Sequence, residues 1–139
     1  MTVHLVKLCV GAEAIDDLVT WQNRLQASYG KVFHTTRMVP KRQGDLLENG
    51  SIYWVIKRQI RVRQPIIDIE EFVDDQGIRR CHLHLDPELV HTRLQERRPF
   101  QGWRYLTKED APDDAPNNMQ IDEDMPEALR QELTDLGLL

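Results

Sequence analysis

The chain has 139 residues, of which 40% are hydrophobic and 29% are charged, as is typical of one globular domain with a buried core. Its formal net charge of −5 argues against a protein that binds polyanions without selectivity. No apolar run approaches the roughly 20 residues that span a bilayer, and the N-terminus lacks the pattern of a signal peptide. We therefore expect a cytoplasmic protein with no membrane partner.

The N-terminal part of the chain predicts a strand followed by a long helix. Residues 3–10 are apolar on both faces, as in a strand that is covered on both sides. Apolar residues then recur at helical spacing over residues 15–29, and Gly30 is well placed to end the helix. Trp21 and Tyr29 lie on or beside this stripe, so we expect both rings in the core.

A short strand and a short helix are predicted next. Residues 32–38 favour the strand, and Pro40 suits the first turn of a helix that ends at Gly50. In that helix we expect Leu46 and Leu47 to face inward.

The central part of the chain predicts three more strands. Residues 51–58 and 60–69 are consecutive apolar runs, and residues 78–85 follow a turn sequence, Asp-Asp-Gln-Gly. Pro65 cannot donate a backbone hydrogen bond, so it is expected at an edge or a bend.

The C-terminal part completes the predicted domain and adds a tail. Residues 86–95 predict a connection with a helical turn, and residues 99–106 predict a final strand. We place one domain at residues 1–108, an acidic linker with prolines at 109–123 and an amphipathic helix at 124–139. Short strands without a repeating strand–helix rhythm indicate an α+β fold, with a small curled antiparallel sheet or barrel flanked by helices.

Charge is strongly segregated along the chain. Residues 31–65 contain eight Lys and Arg against two acidic residues, and residues 92–108 contain five against one. Residues 109–139 contain ten acidic residues and one Arg. Cations interleaved with aromatic rings suit a phosphate-bearing ligand with stackable bases, so the basic segments predict a site for RNA or a nucleotide.

Six cations are candidate phosphate ligands. Arg61 and Arg63 alternate onto one strand face about 7 Å apart, which is similar to the spacing of phosphates on an extended strand. The helix entry near Pro40 adds cations beside a helix N-terminus. The candidates are Arg37, Lys41, Arg42, Arg61, Arg63 and Arg104. The alternative is internal neutralisation, by the acidic tail or by cross-strand acids such as Asp68, Glu70 and Glu71.

Four aromatic side chains are candidates for stacking a base. Trp103 and Tyr105 alternate onto one face of the last predicted strand, beside Gly102, which permits close backbone approach. Core packing is the alternative for at least one of these two rings. The candidates are Tyr53, Trp54, Trp103 and Tyr105.

Signals for catalysis are weak. His82, His84 and Asp86 alternate onto one strand face and are the candidates for a metal site, which would need a further ligand. The sequence contains no nucleophile elbow, P-loop or dinucleotide fingerprint. Cys9 and Cys81 lie in apolar or alternating runs, as buried free thiols do. We therefore expect no cofactor and assign no catalytic residue.

Three motifs resemble a family of small bacterial proteins of unknown function. They are RMVPKR at residues 37–42, GSIYWVIK at 50–57 and RRPFQGWRYL at 97–106, and HLVKLCVG at 4–11 also fits. The resemblance covers nearly all of residues 4–112 and implies no established activity. The chain departs from it where Lys-Arg-Gln replaces the glycine-containing turn expected between two strands.

More distantly, the chain is similar to the PUA-like group, which includes ASCH and EVE domains and often binds RNA or modified bases. That resemblance implies a small barrel beside helices and a cleft lined by Arg37, Lys41, Ser51, Tyr53, Trp54 and Trp103. The leading hypothesis is thus a domain that binds RNA or a nucleobase-containing ligand without performing chemistry. One alternative is a protein-interaction or regulatory module, or a homodimer, that docks through the C-terminal helix. The other is a small metal-dependent hydrolase that uses His82, His84 and Asp86.

Overall fold

The computed structural model describes residues 2–115 of the chain. The elements are β1 (Val3–Leu8), α1 (Ile15–Tyr29), β2 (Val32–Thr36), α2 (Gln43–Leu47), β3 (Ser51–Ile56), β4 (Gln59–Val73), β5 (Arg79–Leu85), β6 (Val90–Glu96) and β7 (Trp103–Thr107). This composition confirms the α+β class. The predicted C-terminal helix lies outside the described residues. Within the described part of the chain, no helix has the length and apolar character needed to span a membrane.

The sheet is mixed and open. Its strands follow the order β2-β5-β4-β3-β1-β7, and β6 pairs with β4 beside this path. β1 and β3 run parallel, whereas the other pairs are antiparallel. The prediction of an antiparallel sheet is therefore wrong for this pair. Parallel strands require a crossover connection, which α1, β2 and α2 provide between β1 and β3.

β4 is the longest strand and connects two parts of the sheet. Its first half pairs with β3 and β6, and its second half pairs with β5. Pro65, expected at an edge or a bend, lies inside β4 and is paired in register with Ser51, so it does not mark an edge. Its carbonyl accepts the Asp86 N–H at 3.0 Å, and the β4–β5 register shifts just beyond it, between Ile66 and Asp68. A proline is tolerated at such an irregularity because no ladder hydrogen bond is lost.

A two-residue turn at Lys57 and Arg58 joins β3 to β4. Both residues have positive φ, 51° and 65°, as in the turns whose twist matches a β-hairpin. Glycine and asparagine adopt this conformation most readily, so two long side chains are strained here. The hairpin therefore forms without the glycine that the family resemblance leads one to expect.

Several local predictions need correction. The expected connection at residues 86–95 contains β6, which pairs with β4. Leu47, Trp21 and Tyr29 are 42%, 37% and 64% exposed, so none of them is a core residue. The buried residues of α1 are Leu18 and Gln22, and this orientation turns both rings of α1 towards the surface.

The core consists of two apolar clusters on opposite faces of the sheet. All six residues of β3 are buried, which explains its continuous apolar sequence. Trp54 belongs to the larger cluster, to which α1 contributes Leu18. Tyr53 belongs to the smaller cluster, against which Phe100 and Ala111 pack.

The folded domain continues past the boundary predicted at residue 108. Ala111 packs against the smaller cluster, and Asp114 forms an isolated bridge with Thr92. The Arg93 N–H donates to the Asp113 carbonyl at 2.8 Å. The first residues of the predicted linker are therefore part of the fold.

A buried amide network joins α1 to the sheet. Gln22 on α1 and Gln64 on β4 exchange two side-chain hydrogen bonds of 2.6 and 2.8 Å. Gln64 also accepts the Trp54 indole N–H at 2.9 Å and donates to the Asp86 carbonyl at 3.0 Å. A fully buried amide is stable only with such partners. The polar residue in the apolar stripe of α1 is thus an anchor for the helix.

Candidate functional site

Arg61 and Arg63, two of the predicted phosphate ligands, are bonded to the protein itself. Arg63 donates to both Asp114 carboxylate oxygens, at 2.7 and 2.9 Å, and to Ser51 at 3.0 Å. Arg61 donates to the Ile56 carbonyl at 2.8 Å. The hydrogen bond to Asp114 raises the pKa of Arg63, and Arg63 in turn holds the pKa of Asp114 below its usual value. Because both guanidinium groups already have acceptors, their predicted role does not fit this arrangement.

The loop between β2 and α2 is anchored on β7 by two of the predicted stacking rings. The Trp103 indole N–H donates to the Met38 carbonyl at 2.7 Å. The Tyr105 hydroxyl accepts the backbone N–H groups of Lys41 and Arg42 at 3.0 and 3.1 Å. The structure thus brings the predicted basic loop and these rings together, with the rings as supports for the loop.

The basic side chains of this loop differ in their contacts. Arg42 forms an ion pair with Asp45 at 2.9 Å and lies over the Tyr105 ring. Arg37 and Lys41 are exposed, with no side-chain hydrogen bond or ion pair to any described residue. They remain candidate phosphate ligands on an open surface.

Three of the four predicted stacking rings are buried. Tyr53, Trp54 and Trp103 are 4%, 4% and 6% exposed, and both indole N–H groups are used in internal hydrogen bonds. Packed into the core, these rings have no face available for a base, which corrects the prediction for all three. Tyr105 is 37% exposed and keeps part of its ring at the surface.

A different set of cations surrounds a pocket of about 530 Å³ on the opposite face of β7 from Trp103. Arg104 lies over the Phe100 ring, 5.0 Å from its centroid, so a cation and an apolar surface adjoin in one wall. We call this site the basic pocket. Its charged and aromatic lining residues are Glu96, Arg97, Arg98, Phe100 and Arg104.

Arg97 carries an unsatisfied polar atom in the basic pocket. Its Nε is buried and has no hydrogen-bond partner among the described residues. An unmet buried donor costs about 1–3 kcal/mol, and more when it is charged. Glu96 supplies one carboxylate in a lining that contains three arginines. The pocket therefore has an excess of positive charge, and one of its arginines has a buried donor without a partner.

Two turns shape the backbone around the basic pocket. The Arg97 N–H donates to the Arg58 carbonyl at 2.7 Å, which holds the strained turn, with the exposed Lys57, beside the pocket. Gly102 has a φ of 69°, and the Met38 sulfur occupies the space that a Cβ at this position would need. A side chain at Gly102 would be strained and would displace the Met38 side chain, so glycine favours the tight reversal that precedes Arg104.

The sequence predicts Arg104 as a site residue but does not predict Arg97, Arg98 and Phe100. The available signal was the adjacent arginine pair in the connection between two strands. The sequence does not show that β7 brings Arg104 back to the same side.

The histidines proposed for a metal site are bonded to other side chains. A ring nitrogen of His82 bonds to Thr35 at 2.8 Å, and one of His84 bonds to Glu70 at 3.0 Å. Asp86 accepts a backbone N–H two residues along the chain. Within residues 2–115, no group of three or more His, Cys, Asp or Glu is arranged to hold a metal ion.

A second pocket, of about 270 Å³, lies between α1 and the sheet, and we call it the α1 pocket. Its apolar walls include Leu8, Leu18, Trp21, Leu25, Phe33 and Trp54. Its polar lining consists of Lys7, Cys9, Gln22 and His34.

Burial changes the titration of three groups in the α1 pocket. It lowers the pKa of His34 to about 4, raises the pKa of Cys9 to about 11 and lowers the pKa of Lys7. At neutral pH, His34 is therefore a neutral imidazole and Cys9 a protonated thiol. Cys9 and Cys81 are free and buried, as predicted, and a thiol of this kind is a poor nucleophile.

The comparisons with known proteins identify a family. No curated protein and no solved structure shows a significant match to this chain. One family model, described as "Protein of unknown function (DUF1489)", matches residues 5–139. Since that match covers nearly the whole length, the chain belongs to this family.

Proposed function

We propose that this protein is a cytoplasmic, PUA-like domain that binds RNA or a nucleobase-containing ligand through the basic pocket and performs no chemistry on it. The observation that carries the proposal is the buried, unpartnered Nε of Arg97 beside Arg98 and Arg104. The PUA-like assignment is supported by the sequence resemblance.

Phosphate is the anion that best suits three guanidinium groups. The planar fork of arginine matches phosphate oxygens in pairs and stays charged at every physiological pH. The volume of about 530 Å³ falls within the range of about 300–1,000 Å³ that is usual for ligand pockets. It accommodates more than a lone phosphate ion, and Phe100 offers the apolar contact that a base or ribose needs.

Exposed cations beside the basic pocket indicate that the ligand is an RNA strand rather than a single nucleotide. Lys57 and Arg58 lie next to Arg97 through the backbone hydrogen bond between Arg58 and Arg97. Both are exposed and have no side-chain hydrogen bond or ion pair within the described part of the chain. An RNA strand that leaves the pocket past Lys57 and Arg58 would gain two further phosphate contacts. Each contact adds to the salt-dependent part of the affinity.

The test is fluorescence anisotropy with a labelled single-stranded RNA of about a dozen nucleotides, within the usual site size of such proteins. The double variant Arg98→Gln/Arg104→Gln should lower affinity at low salt by roughly tenfold or more. It should also reduce the slope of log affinity against log salt by about 1.4, since each phosphate contact on a single strand contributes about 0.7.

The matched control is Arg24→Gln/Arg79→Gln, which removes the same charge from exposed sites on α1 and β5. It should leave the affinity nearly unchanged. Equal losses in the two double variants, or no RNA binding by the natural chain at low salt, would contradict the proposal.

The interaction-module hypothesis stays a prediction, because the C-terminal helix on which it depends lies outside the described residues. Concentration-dependent light scattering of the full chain tests it. A homodimer or larger assembly should appear as a molar mass that rises with concentration, whereas a constant monomer mass would count against self-association.

A further inference from the structure

The α1 pocket has the composition of a ligand site and takes no part in the proposed RNA binding. Its volume of about 270 Å³ is close to the lower end of the range of about 300–1,000 Å³ for ligand pockets. Two of its apolar lining residues are partly exposed to water, Trp21 by 37% and Val10 by 71%. Apolar surface held open to water is unfavourable, so an apolar occupant of matching size would stabilise the folded protein.

Two polar groups of the α1 pocket lack partners. His34 Nε2 is buried and has no hydrogen-bond partner among the described residues. Lys7 is half-buried and likewise forms no hydrogen bond or ion pair within residues 2–115. In contrast, the side-chain nitrogens of Gln22 and Trp54 are both bonded to Gln64. The unmet needs of the pocket are therefore one negative charge beside Lys7 and one hydrogen bond to His34.

We propose that the α1 pocket binds a small aromatic carboxylate. The ring would lie among the apolar and aromatic walls, one carboxylate oxygen would pair with the Lys7 ammonium, and the other would accept a hydrogen bond from His34 Nε2–H. Both unmet polar groups are then satisfied by a single planar group. No chemical step is involved, because the site contains no activated nucleophile.

A carboxylate meets these needs better than other ligand classes. A phosphate has more oxygens and more negative charge than one ammonium and one neutral imidazole can pair. Burying its unpaired oxygens and charge would be costly. A neutral aromatic molecule would leave Lys7 unpaired. An aromatic body suits the walls because rings pack favourably edge to face, as His34 and Trp54 already do, with centroids 5.5 Å apart and planes at 89°.

The test is a titration of the full chain with cinnamate, using cinnamamide as the uncharged control of the same shape. The readout is the NMR signal of each indole N–H. Two of the three tryptophans, Trp21 and Trp54, line the α1 pocket, whereas Trp103 does not. We expect saturable chemical-shift changes for the indole N–H signals of Trp21 and Trp54 and an unchanged signal for Trp103. Cinnamate should bind roughly tenfold more tightly than cinnamamide, as expected for a charge-assisted hydrogen bond.

Two substitutions of Lys7 locate the source of this preference. Lys7→Gln should abolish the preference for cinnamate over cinnamamide, and Lys7→Arg should largely retain it. Arg98→Gln/Arg104→Gln removes charge from the basic pocket and should leave cinnamate affinity unchanged, which separates this site from the RNA site.

Three results would overturn the inference: no saturable shift with millimolar cinnamate, shifts confined to Trp103, or equal affinities for cinnamate and cinnamamide in the natural chain. The comparison of acid with amide needs no variant, so it decides the question even if a Lys7 substitution prevents folding.

Discussion

The arginines of β4 and those of the basic pocket come from segments of similar composition, yet the fold treats them differently. Arg61 and Arg63 donate to acceptors within the domain. Arg97 Nε has no acceptor among the described residues, and Arg104 lies over the ring of Phe100. The availability of a cation for a ligand is thus decided by the acceptors that tertiary structure brings to it, and not by the local density of charge.

The largest loss of stability is expected from a substitution in the buried amide network around Gln64. Gln64→Leu would leave the Trp54 indole N–H, the Gln22 amide and the Asp86 carbonyl without their partner. At about 1–3 kcal/mol for each buried unpaired group, some of it relieved by relaxation, we expect a loss of about 3 kcal/mol. Urea unfolding measures it, and a loss below about 1 kcal/mol would show that the network is not a structural anchor.

The comparison of the two arginine sets predicts that the same substitution, Arg to Met, affects stability in one set and RNA binding in the other. Arg63→Met should lower the free energy of unfolding by about 1–2 kcal/mol, a value reduced by the partial exposure of Asp114, and should leave RNA affinity nearly unchanged. Arg104→Met should change stability by less than about 0.5 kcal/mol and should weaken RNA binding. The reverse pattern in urea unfolding and anisotropy would refute the division of roles.

The Arg63–Asp114 pair also predicts a dependence of stability on pH. Its hydrogen bond lowers the pKa of Asp114 in the folded state from an ordinary value of 3.8. The stability from this shift is fully present above the unfolded-state pKa and is lost as pH falls through the folded-state pKa. The stability difference between the natural chain and Arg63→Met should therefore be constant above about pH 5 and shrink as pH falls below about 4. A constant difference would contradict this assignment.

The strained turn between β3 and β4 offers a gain of stability. Replacing Lys57 and Arg58 by Asn and Gly places preferred residues at two positions of positive φ and should raise the free energy of unfolding by about 1 kcal/mol. The same change should weaken RNA binding, because two cations beside the basic pocket are lost. Higher stability with unchanged RNA affinity would show that the turn takes no part in binding.

A small loss of stability is expected where Tyr105 anchors the loop between β2 and α2. Tyr105→Phe removes the acceptor of two backbone N–H groups, those of Lys41 and Arg42. Both groups lie in exposed residues and regain water, so we expect a loss of about 0.5–1 kcal/mol in unfolding free energy. Faster amide hydrogen exchange at these two residues would confirm the contact, and unchanged exchange would contradict it.

Most of the helices and strands that depend on local sequence patterns were predicted correctly. The helical spacing of residues 15–29 and the position of Gly30 gave α1 and its end, where Gly30 has a φ of 72°. The apolar runs gave β1, β3 and the first half of β4. β6 was missed because five of its seven residues are polar and Thr92 is its one buried residue. Its pairing with β4 stabilises it as a strand.

The features that depend on distant contacts were beyond the sequence. The parallel pairing of β1 with β3 joins Leu5 to Ile52 in register, and no local pattern encodes it. The candidate sites also depend on contacts between residues that are distant in sequence. Asp114 reaches Arg63 across 51 positions, which removes a predicted phosphate ligand, and the α1 pocket joins Lys7 to His34 only because α1 packs above them.

The most direct test of the division between the two arginine sets is an NMR titration of the arginine Nε–H signals with the single-stranded RNA. The structure predicts that the signals of Arg97, Arg98 and Arg104 shift and that their exchange with water slows, while those of Arg61 and Arg63 stay in place. Shifts at Arg61 and Arg63, with unmoved signals from the basic pocket, would contradict it.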